Sequence, residues 1–285
     1  MTSPSVETER YIRTGQHDAL FAVWPGRGLP DRARHGSSVL RGALVAEVRA
    51  RTSHATAPEA LADLDIVAFT RGKVEPMVRG LFPLTERQAV LDMLARSVVF
   101  LTPATIAQVL NETQFLNTAW RLANAYLLSC GAKLLADDAP RIVGLSAATT
   151  CYVSMDYFRR FCRYDDFLIH EAAHVFHNCK RVTVGLPETR RREWLLDIAF
   201  RKRETFAYAC ETYSRIVVLA DGTAARRNAL IEVGAGPMPA DDSVDADEYL
   251  AIVREAISAR NGWKRILDAC APPRRRPVST RDCPA

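Results

Sequence analysis

The apolar positions of this chain recur mostly at intervals of three and four residues, the spacing of one face of an α-helix. Polar and charged residues fill the positions between them, so the pattern predicts amphipathic helices that each bury one face. The predicted helices cover 39–51, 86–99, 103–111, 113–130, 245–260 and a short segment that ends near 270. Residues 187–220 are predicted to form one long helix or two joined ones.

Several of these helices carry end signals. Thr85 and Gln88 have the spacing of a capping box at the start of 86–99. Thr102 precedes Pro103, a pair typical of a helix N-cap and first turn. Gly131 follows the helix 113–130 directly, where glycine commonly ends a helix.

Other segments break the helical pattern. Residues 141–155 are β-branched at several positions and form the best strand candidate. We expect a short helix followed by a strand over 60–72, and a long loop in the Pro/Gly/Arg-rich segment 24–38. Residues 1–16 are expected to be weakly ordered and 271–285 to be disordered.

Together these elements predict an α+β fold that is predominantly helical and has a small sheet. We divide the chain into a partly irregular N-terminal region at 1–80, a mainly helical domain at 81–270 and a basic tail at 271–285. The role of the first 130 residues is left open.

Composition narrows the class of protein. A chain of 285 residues that is 48% hydrophobic can bury a substantial core. It has no run of about 18 apolar residues, so we predict no membrane span, and residues 1–15 lack the apolar stretch of a secretory signal. Its seven cysteines are scattered and form no Cys-x-x-Cys pair, a pattern typical of reduced thiols. We therefore expect a cytoplasmic protein.

The net charge of +5 comes mainly from arginine, since lysine occurs only five times. Such usage is common in GC-rich bacterial genomes. Arginine-rich clusters at 190–192, 201–203 and 274–276 are compatible with an acidic substrate or nucleic acid. Solvated helix faces and a basic tail explain them better, because no aromatic residues or nucleic-acid motif accompany them. We predict no nucleic-acid partner.

The chemistry of the chain is concentrated in His170-Glu171-Ala172-Ala173-His174. On a helix, the two histidines lie one turn apart on the same face, so both imidazoles can bind one ion. A carboxylate beside them can accept a proton from a metal-bound water, which is the arrangement of metal-assisted hydrolysis.

Chance alone places this motif in about one chain in a hundred of this length, so its context matters. The preceding residues Asp165 and Asp166 suit a helix N-terminus. One apolar stripe follows helical spacing, namely Leu168, Ala172, Val175, Phe176 and Cys179. The histidines and Glu171 fall largely on the other side, so the helix has a core face and a metal-binding face.

A catalytic zinc needs a third protein ligand. The metzincin arrangement is excluded, because position 177 holds His where those proteins have Gly, and position 180 holds Lys where they have the third His. The acidic candidates between His174 and Ala220 are Glu188, Glu193, Asp197, Glu204 and Glu211. We favour Glu204, because Ala207, Ala209 and Cys210 behind it are small enough for close helix packing.

At this point the chain resembles a gluzincin metallopeptidase: HExxH is followed by a helix that carries Glu and then Phe-Ala, here Glu204 to Ala207. The resemblance covers about 141–220. It implies a zincin-like core in which the edge strand of a small sheet lies beside the HExxH helix. It also implies Zn²⁺ as the cofactor, His170, His174 and Glu204 as its ligands, and Glu171 as the general base.

The chain departs from that family where many members carry an acidic residue four positions after the ligand Glu. Here the position is Tyr208. Glu211 either takes over the orienting role toward a ligand histidine or pairs with Arg215 on a solvated face. His177 is favoured as a capping or surface residue over one that lines the cleft. Tyr208 and Tyr213 are favoured as packing residues over donors to a reaction intermediate.

The leading hypothesis is a zinc-dependent metallopeptidase whose substrate is a peptide or protein. The alternative is a cytosolic regulatory or binding protein with a structural or degenerate zinc site. A third possibility is an arginine-rich nucleic-acid binder in which the motif arose by chance. Substrate preference, oligomeric state and the choice between endo- and exopeptidase are not encoded in these patterns.

Overall fold

The computed structural model describes residues 3–159, 162–189 and 192–273. Its helices are α1 (Pro4–Thr14), α2 (Leu29–Arg51), α3 (Ile66–Leu81), α4 (Leu84–Ala95), α5 (Ile106–Glu112), α6 (Leu116–Ser129), α7 (Phe167–Asn178), α8 (Arg203–Leu219), α9 (Gly222–Ala235), α10 (Ala246–Ser258) and α11 (Gly262–Cys270). Its strands are β1 (Val98–Leu101), β2 (Gly144–Ala147) and β3 (Thr150–Ser154). The fold is α+β and mostly helical, as predicted.

The three strands form one sheet in the order β1-β3-β2. β3 lies in the centre, parallel to β1 and antiparallel to β2. Residues 141–155 therefore hold a hairpin and not a single strand. The turn residue Ala148 adopts φ +52°, a left-handed conformation. The hairpin was missed because such turns usually contain Gly or Asn, and this one has neither at that position.

Two apolar clusters fill the interior. One joins α1, α2, α5 and α6 around residues such as Tyr11, Leu40 and Leu110. The other joins α3, α4 and α7 to α11 with the strands β1 and β3. Helices α3 and α4, on either side of the predicted boundary near residue 80, pack closely on each other.

The N-terminal predictions were wrong in three places. Residues 4–14 are helical, with Ser3 as N-cap and Pro4 in the first turn. Helix α2 starts at Leu29, inside the predicted loop, because Pro30 suits a first turn. The strand expected near 60–72 is the start of α3, which is capped by Asp65.

Other boundaries moved as well. The helix predicted over 86–99 ends at Ala95, and β1 follows. The segment before α8 has only 3₁₀ turns and isolated bridges among its described residues, so the helix predicted from 187 begins at Arg203. Helix α9 was not predicted. Gly131 is the left-handed residue after α6, as predicted, and Asp245 is the N-cap of α10.

Some predictions concern residues that the structure does not describe. The cluster 274–276 and the tail from 274 onward lie outside the described residues, as do Arg190 and Arg191. Six cysteines are free thiols, while Cys283 belongs to the undescribed tail. None of the helices in the described ranges has both the length and the apolarity needed to cross a bilayer.

Candidate metal centre

Helix α7 carries the HExxH residues and is anchored at its first turn. Asp166 occupies the N-cap position, but its carboxylate makes no bond to the helix backbone. It accepts hydrogen bonds from Lys73 Nζ at 2.7 Å and from the Tyr157 hydroxyl at 3.1 Å. The start of α7 is therefore tied to α3 and to the turn after the sheet.

The predicted apolar stripe of α7 is confirmed. Leu168, Ala172, Val175, Phe176 and Cys179 are all buried. The opposite face is also shielded, since Glu171, His174 and His177 are buried and His170 is half-buried. The polar face of α7 is thus a wall of an internal site and not a solvated surface.

The structure brings together His170, His174 and Glu204, the three residues predicted as ligands. The Nε2 atoms of the two histidines lie 3.1 Å apart. Glu204 Oε2 lies 3.6 Å from Nε2 of His170 and 3.4 Å from Nε2 of His174. All three candidate ligand atoms lie within 4.8 Å of one another, and among the described residues this is the group that has metal-binding geometry.

These distances fit one face of a zinc tetrahedron. Bonds of about 2.0–2.2 Å from zinc to nitrogen or oxygen place neighbouring ligand atoms about 3.3–3.5 Å apart. The observed separations of 3.1, 3.4 and 3.6 Å bracket that value. Two imidazoles and one carboxylate are also a donor set that zinc prefers in open, catalytic sites.

A second carboxylate, that of Glu211, contacts His170 at Nδ1, the ring nitrogen outside the cluster. Its Oε2 lies 3.1 Å from Nδ1 of His170, and its Oε1 accepts a hydrogen bond from the backbone N–H of Asp166 at 2.6 Å. Because a carboxylate accepts, Nδ1 of His170 donates a hydrogen to Glu211, and Nε2 is the ring nitrogen that faces Glu204 and His174. The side chain of Arg215, which the sequence offered as an alternative partner of Glu211, donates to the backbone carbonyl of Arg163.

The electrostatics of the cluster favour positive charge at its centre. Burial lowers the pKa of His170, but its hydrogen bonds to Glu204 and Glu211 outweigh this effect and raise the pKa to about 10. Burial alone would raise the pKa of Glu204, but the two histidines hold it well below its usual range. A centre that stabilises a proton on His170 is also suited to a cation.

Glu171 is packed against the edge strand. A Cβ added at Gly144 of β2 would lie 2.8 Å from both Cγ and Oε1 of Glu171. Burial raises the pKa of Glu171. Gly144 was not singled out from the sequence, although a glycine in a β-branched strand is a signal for close approach of another group.

A cavity of about 1020 Å³ opens in front of these residues. Its walls are β2, the polar face of α7, the start of α8 and the segment 236–243 between α9 and α10. Two arginines of the cluster 201–203, predicted as a solvated helix face, belong to this wall, namely Arg201 and Arg203.

The expectation for His177 was wrong. Its side chain is buried, lines the cavity and stacks edge-on against His174, with ring centroids 5.3 Å apart. Its buried Nδ1 has no hydrogen-bond partner among the described residues. Burial lowers the pKa of His177 to about 3, so the ring is neutral.

The two tyrosines behave differently. Tyr208 stacks edge-on against His170, with ring centroids 4.5 Å apart, and lines the cavity. Tyr213 packs on Trp263 in the core, on the side of α8 away from the site. The remaining acidic candidates are exposed and lie outside the cluster, namely Glu188, Glu193 and Asp197.

Comparison with models of known protein families, with curated proteins and with solved structures finds no match to this chain. The functional interpretation therefore depends on the geometry of the site itself.

Proposed function

We propose that this protein is a zinc-dependent metallopeptidase. The observation that carries the proposal is the cluster of His170, His174 and Glu204, whose ligand atoms have the spacing of a tetrahedral zinc face. Bound there, zinc supplies a Lewis acid that polarises a carbonyl and lowers the pKa of a water.

The protein's own residues supply the remaining chemistry. Glu171 lines the cavity beside the cluster, where its carboxylate accepts the proton of the attacking water. The same carboxylate then passes that proton to the leaving amine. Glu211 orients His170 through Nδ1, so that Nε2 is the ring nitrogen that faces the other two proposed ligands. Gly144 leaves room for the Glu171 side chain.

The position of β2 supports a peptide as the substrate. β2 pairs with β3 on one side, and in the described residues no other strand pairs with its outer edge. Residues 143–146 line the cavity next to Glu171. An extended peptide added along this edge would place its backbone carbonyls beside the centre. This arrangement supports the zincin-like core that the gluzincin resemblance implies.

The alternative is a binding or regulatory protein that uses zinc structurally. Structural zinc sites are closed by four protein ligands. Here three candidate ligands face a cavity of about 1020 Å³, which favours a site with an open position.

The deciding experiment is the substitution Glu171→Gln. Zinc content, measured by elemental analysis, is expected to match wild type, because Glu171 is not among the three ligands. Peptide hydrolysis is expected to fall by about a hundredfold or more, the usual contribution of general acid–base catalysis. Full activity in the variant would refute the proposal, as would wild-type protein that fails to retain zinc.

A further inference from the structure

The cavity wall carries arginines that form no ion pair with the described residues. Four arginines line it, namely Arg121, Arg141, Arg201 and Arg203. None of them forms an ion pair with a carboxylate among the described residues. Arg121 and Arg203 are half-buried, and the other two are exposed.

The carboxylates on the same wall have other partners, and Asp165 lies beside the thiol of Cys162. Glu232 accepts from Arg163 and from the Tyr164 hydroxyl. Asp241 accepts from both the backbone and the side chain of Ser243. Glu171, Glu204 and Glu211 belong to the candidate metal centre. The groups that are still available to a ligand at the wall are therefore mainly guanidinium groups.

Arg203 is the best placed of these arginines. It directly precedes the proposed ligand Glu204, and its Cζ lies 5.2 Å from the ring centroid of Phe200. Its Nε is buried and has no hydrogen-bond partner in the described chain. A guanidinium stacked on an aromatic ring is held in orientation, and its planar fork matches a carboxylate.

His177 is a second residue on this side of the cavity that has an unpaired polar atom. Its side chain is only 5% exposed, and it lines the cavity with a buried nitrogen that lacks a partner. Buried polar atoms in proteins are nearly always paired, so an unpaired one beside a cavity is a candidate for a bond to a water, an ion or a polar ligand. Two such nitrogens, on His177 and Arg203, flank the ligand pair His174 and Glu204.

We propose that Arg203, assisted by His177, forms a carboxylate-binding subsite next to the metal centre, so that the substrate is a peptide that carries a carboxylate beside the bond to be cleaved. This inference rests on the proposed function for the placement of the reacting bond. The carboxylate comes either from an aspartate or glutamate side chain or from the C-terminus of the peptide. A peptide is favoured over a nucleic acid, because the outer edge of β2, which no other described strand pairs with, lies on the same cavity.

The test measures binding separately from hydrolysis. Full-length protein with Glu171→Gln is titrated against fluorescein-labelled pools of ten-residue peptides by anisotropy. One pair of pools, both amidated at the C-terminus, has either Asp/Glu or Asn/Gln at the central positions. A second pair contains neutral peptides with either a free or an amidated C-terminus, and single-stranded DNA of equal charge is the third arm.

We expect one carboxylate pool to bind about tenfold tighter than its amide counterpart, as a charge-assisted bidentate contact provides. Which pair shows the difference identifies the source of the carboxylate. Arg203→Gln should abolish the preference, and Arg203→Lys should retain part of it. The control is Arg227→Gln, an exposed arginine outside the cavity with the same loss of charge, which should keep the preference. Thermal melting checks that each variant is folded.

Equal binding of the acid and amide pools would overturn the subsite, as would tighter binding of the DNA or an equal loss in Arg227→Gln. Hydrolysis by zinc-loaded wild type separates this inference from the proposed function. Equal cleavage of the carboxylate pool and the amide pool in each pair would refute the subsite and leave the proposed peptidase activity standing. Arg203-dependent binding without any cleavage would refute the peptidase and leave the subsite standing.

Discussion

Glu211 Oε2 lies 3.1 Å from Nδ1 of His170, one turn beyond the position where the gluzincin pattern has its orienting acid. That position is Tyr208, whose ring stacks on the same histidine. The carboxylate that contacts His170 in this chain is therefore at position 211, and position 208 holds an aromatic ring. The second oxygen of Glu211 binds the backbone N–H of Asp166, so one side chain fixes both the start of α7 and a candidate ligand on it.

This relationship predicts the effect of Glu211→Gln. A glutamine amide cannot accept from both Asp166 N–H and His170 Nδ1–H, so one bond is lost or His170 changes tautomer. We expect zinc affinity to fall by about 10- to 100-fold, as for other residues that orient a metal ligand. Competition with a chromophoric chelator at fixed pH measures this. An unchanged affinity would show that Glu211 does not position His170.

Zinc should stabilise the fold if it binds to His170, His174 and Glu204 as proposed. A ligand present at a hundred times its dissociation constant adds about 2.7 kcal/mol to the free energy of unfolding. We expect the melting temperature to fall on treatment with a chelator and to recover with added zinc. Glu204→Ala should remove this response, whereas Glu188→Ala, which changes an exposed acid outside the cluster, should keep it. A zinc response that survives Glu204→Ala would exclude Glu204 as a ligand.

The substitution Gly144→Ala, which adds one methyl group, should lower the activity. Its added Cβ would lie 2.8 Å from Oε1 of Glu171, closer than non-bonded atoms approach, so the carboxylate must shift. We expect Gly144→Ala to lower kcat by about tenfold or more while zinc content is unchanged, since small displacements of a catalytic group are costly. In the control Gly42→Ala the new Cβ meets open space, and the substitution should leave kcat unaffected. Equal kcat values for the two variants would contradict the packing.

A buried ion pair predicts an acid-sensitive part of the fold. Arg181 has a side chain only 1% exposed and donates to Glu86 at 2.7 Å. Its hydrogen bond, together with Arg192, lowers the pKa of Glu86 from 4.5 although burial opposes the shift. A lowered pKa in the folded state means that this stabilisation is complete above pH 4.5 and is lost as the pH falls through the folded-state pKa.

Glu86→Gln should therefore destabilise the protein by about 3 kcal/mol at neutral pH, because Arg181 remains buried without its charge partner. The difference from wild type, measured by denaturant titration, should shrink as the pH falls below 4.5. The matched control is Glu255→Gln, which removes an exposed pair with Arg265 and should cost under about 1 kcal/mol. A pH-independent difference would show that the charge of Glu86 is not what stabilises the pair.

The sequence predicted the candidate centre better than it predicted the N-terminal helices. The spacing of His170 and His174 is local, so one helical turn determines their geometry, and Glu204 followed from the small residues behind it. Helix α2 was predicted only from residue 39, because its first part lies in the Pro/Gly/Arg-rich segment where Gly36 looks like a helix breaker. In the structure a Cβ at Gly36 would lie 2.5 Å from Phe21 and 2.6 Å from Trp24, so this glycine serves packing within the helix.

What the sequence did not reveal depends on contacts between distant segments. His177 was expected at the surface because nothing local indicates that the cavity and the start of α8 enclose it. Arg203 was assigned to a solvated face for the same reason. The choice for Glu211 was left open, and it is decided by the backbone N–H of Asp166, which lies 45 residues away along the chain.

The burial of α7 has a consequence for how this protein can diversify. From Asp166 to Cys179 none of the side chains is exposed. Nearly every substitution in that stretch therefore disturbs either the core or the centre, and a saturation scan should find it uniformly intolerant. Changes in what the cavity binds would have to arise on the surrounding walls, at Arg203 and in the segment 236–243, where side chains can vary without disturbing the buried helix α7.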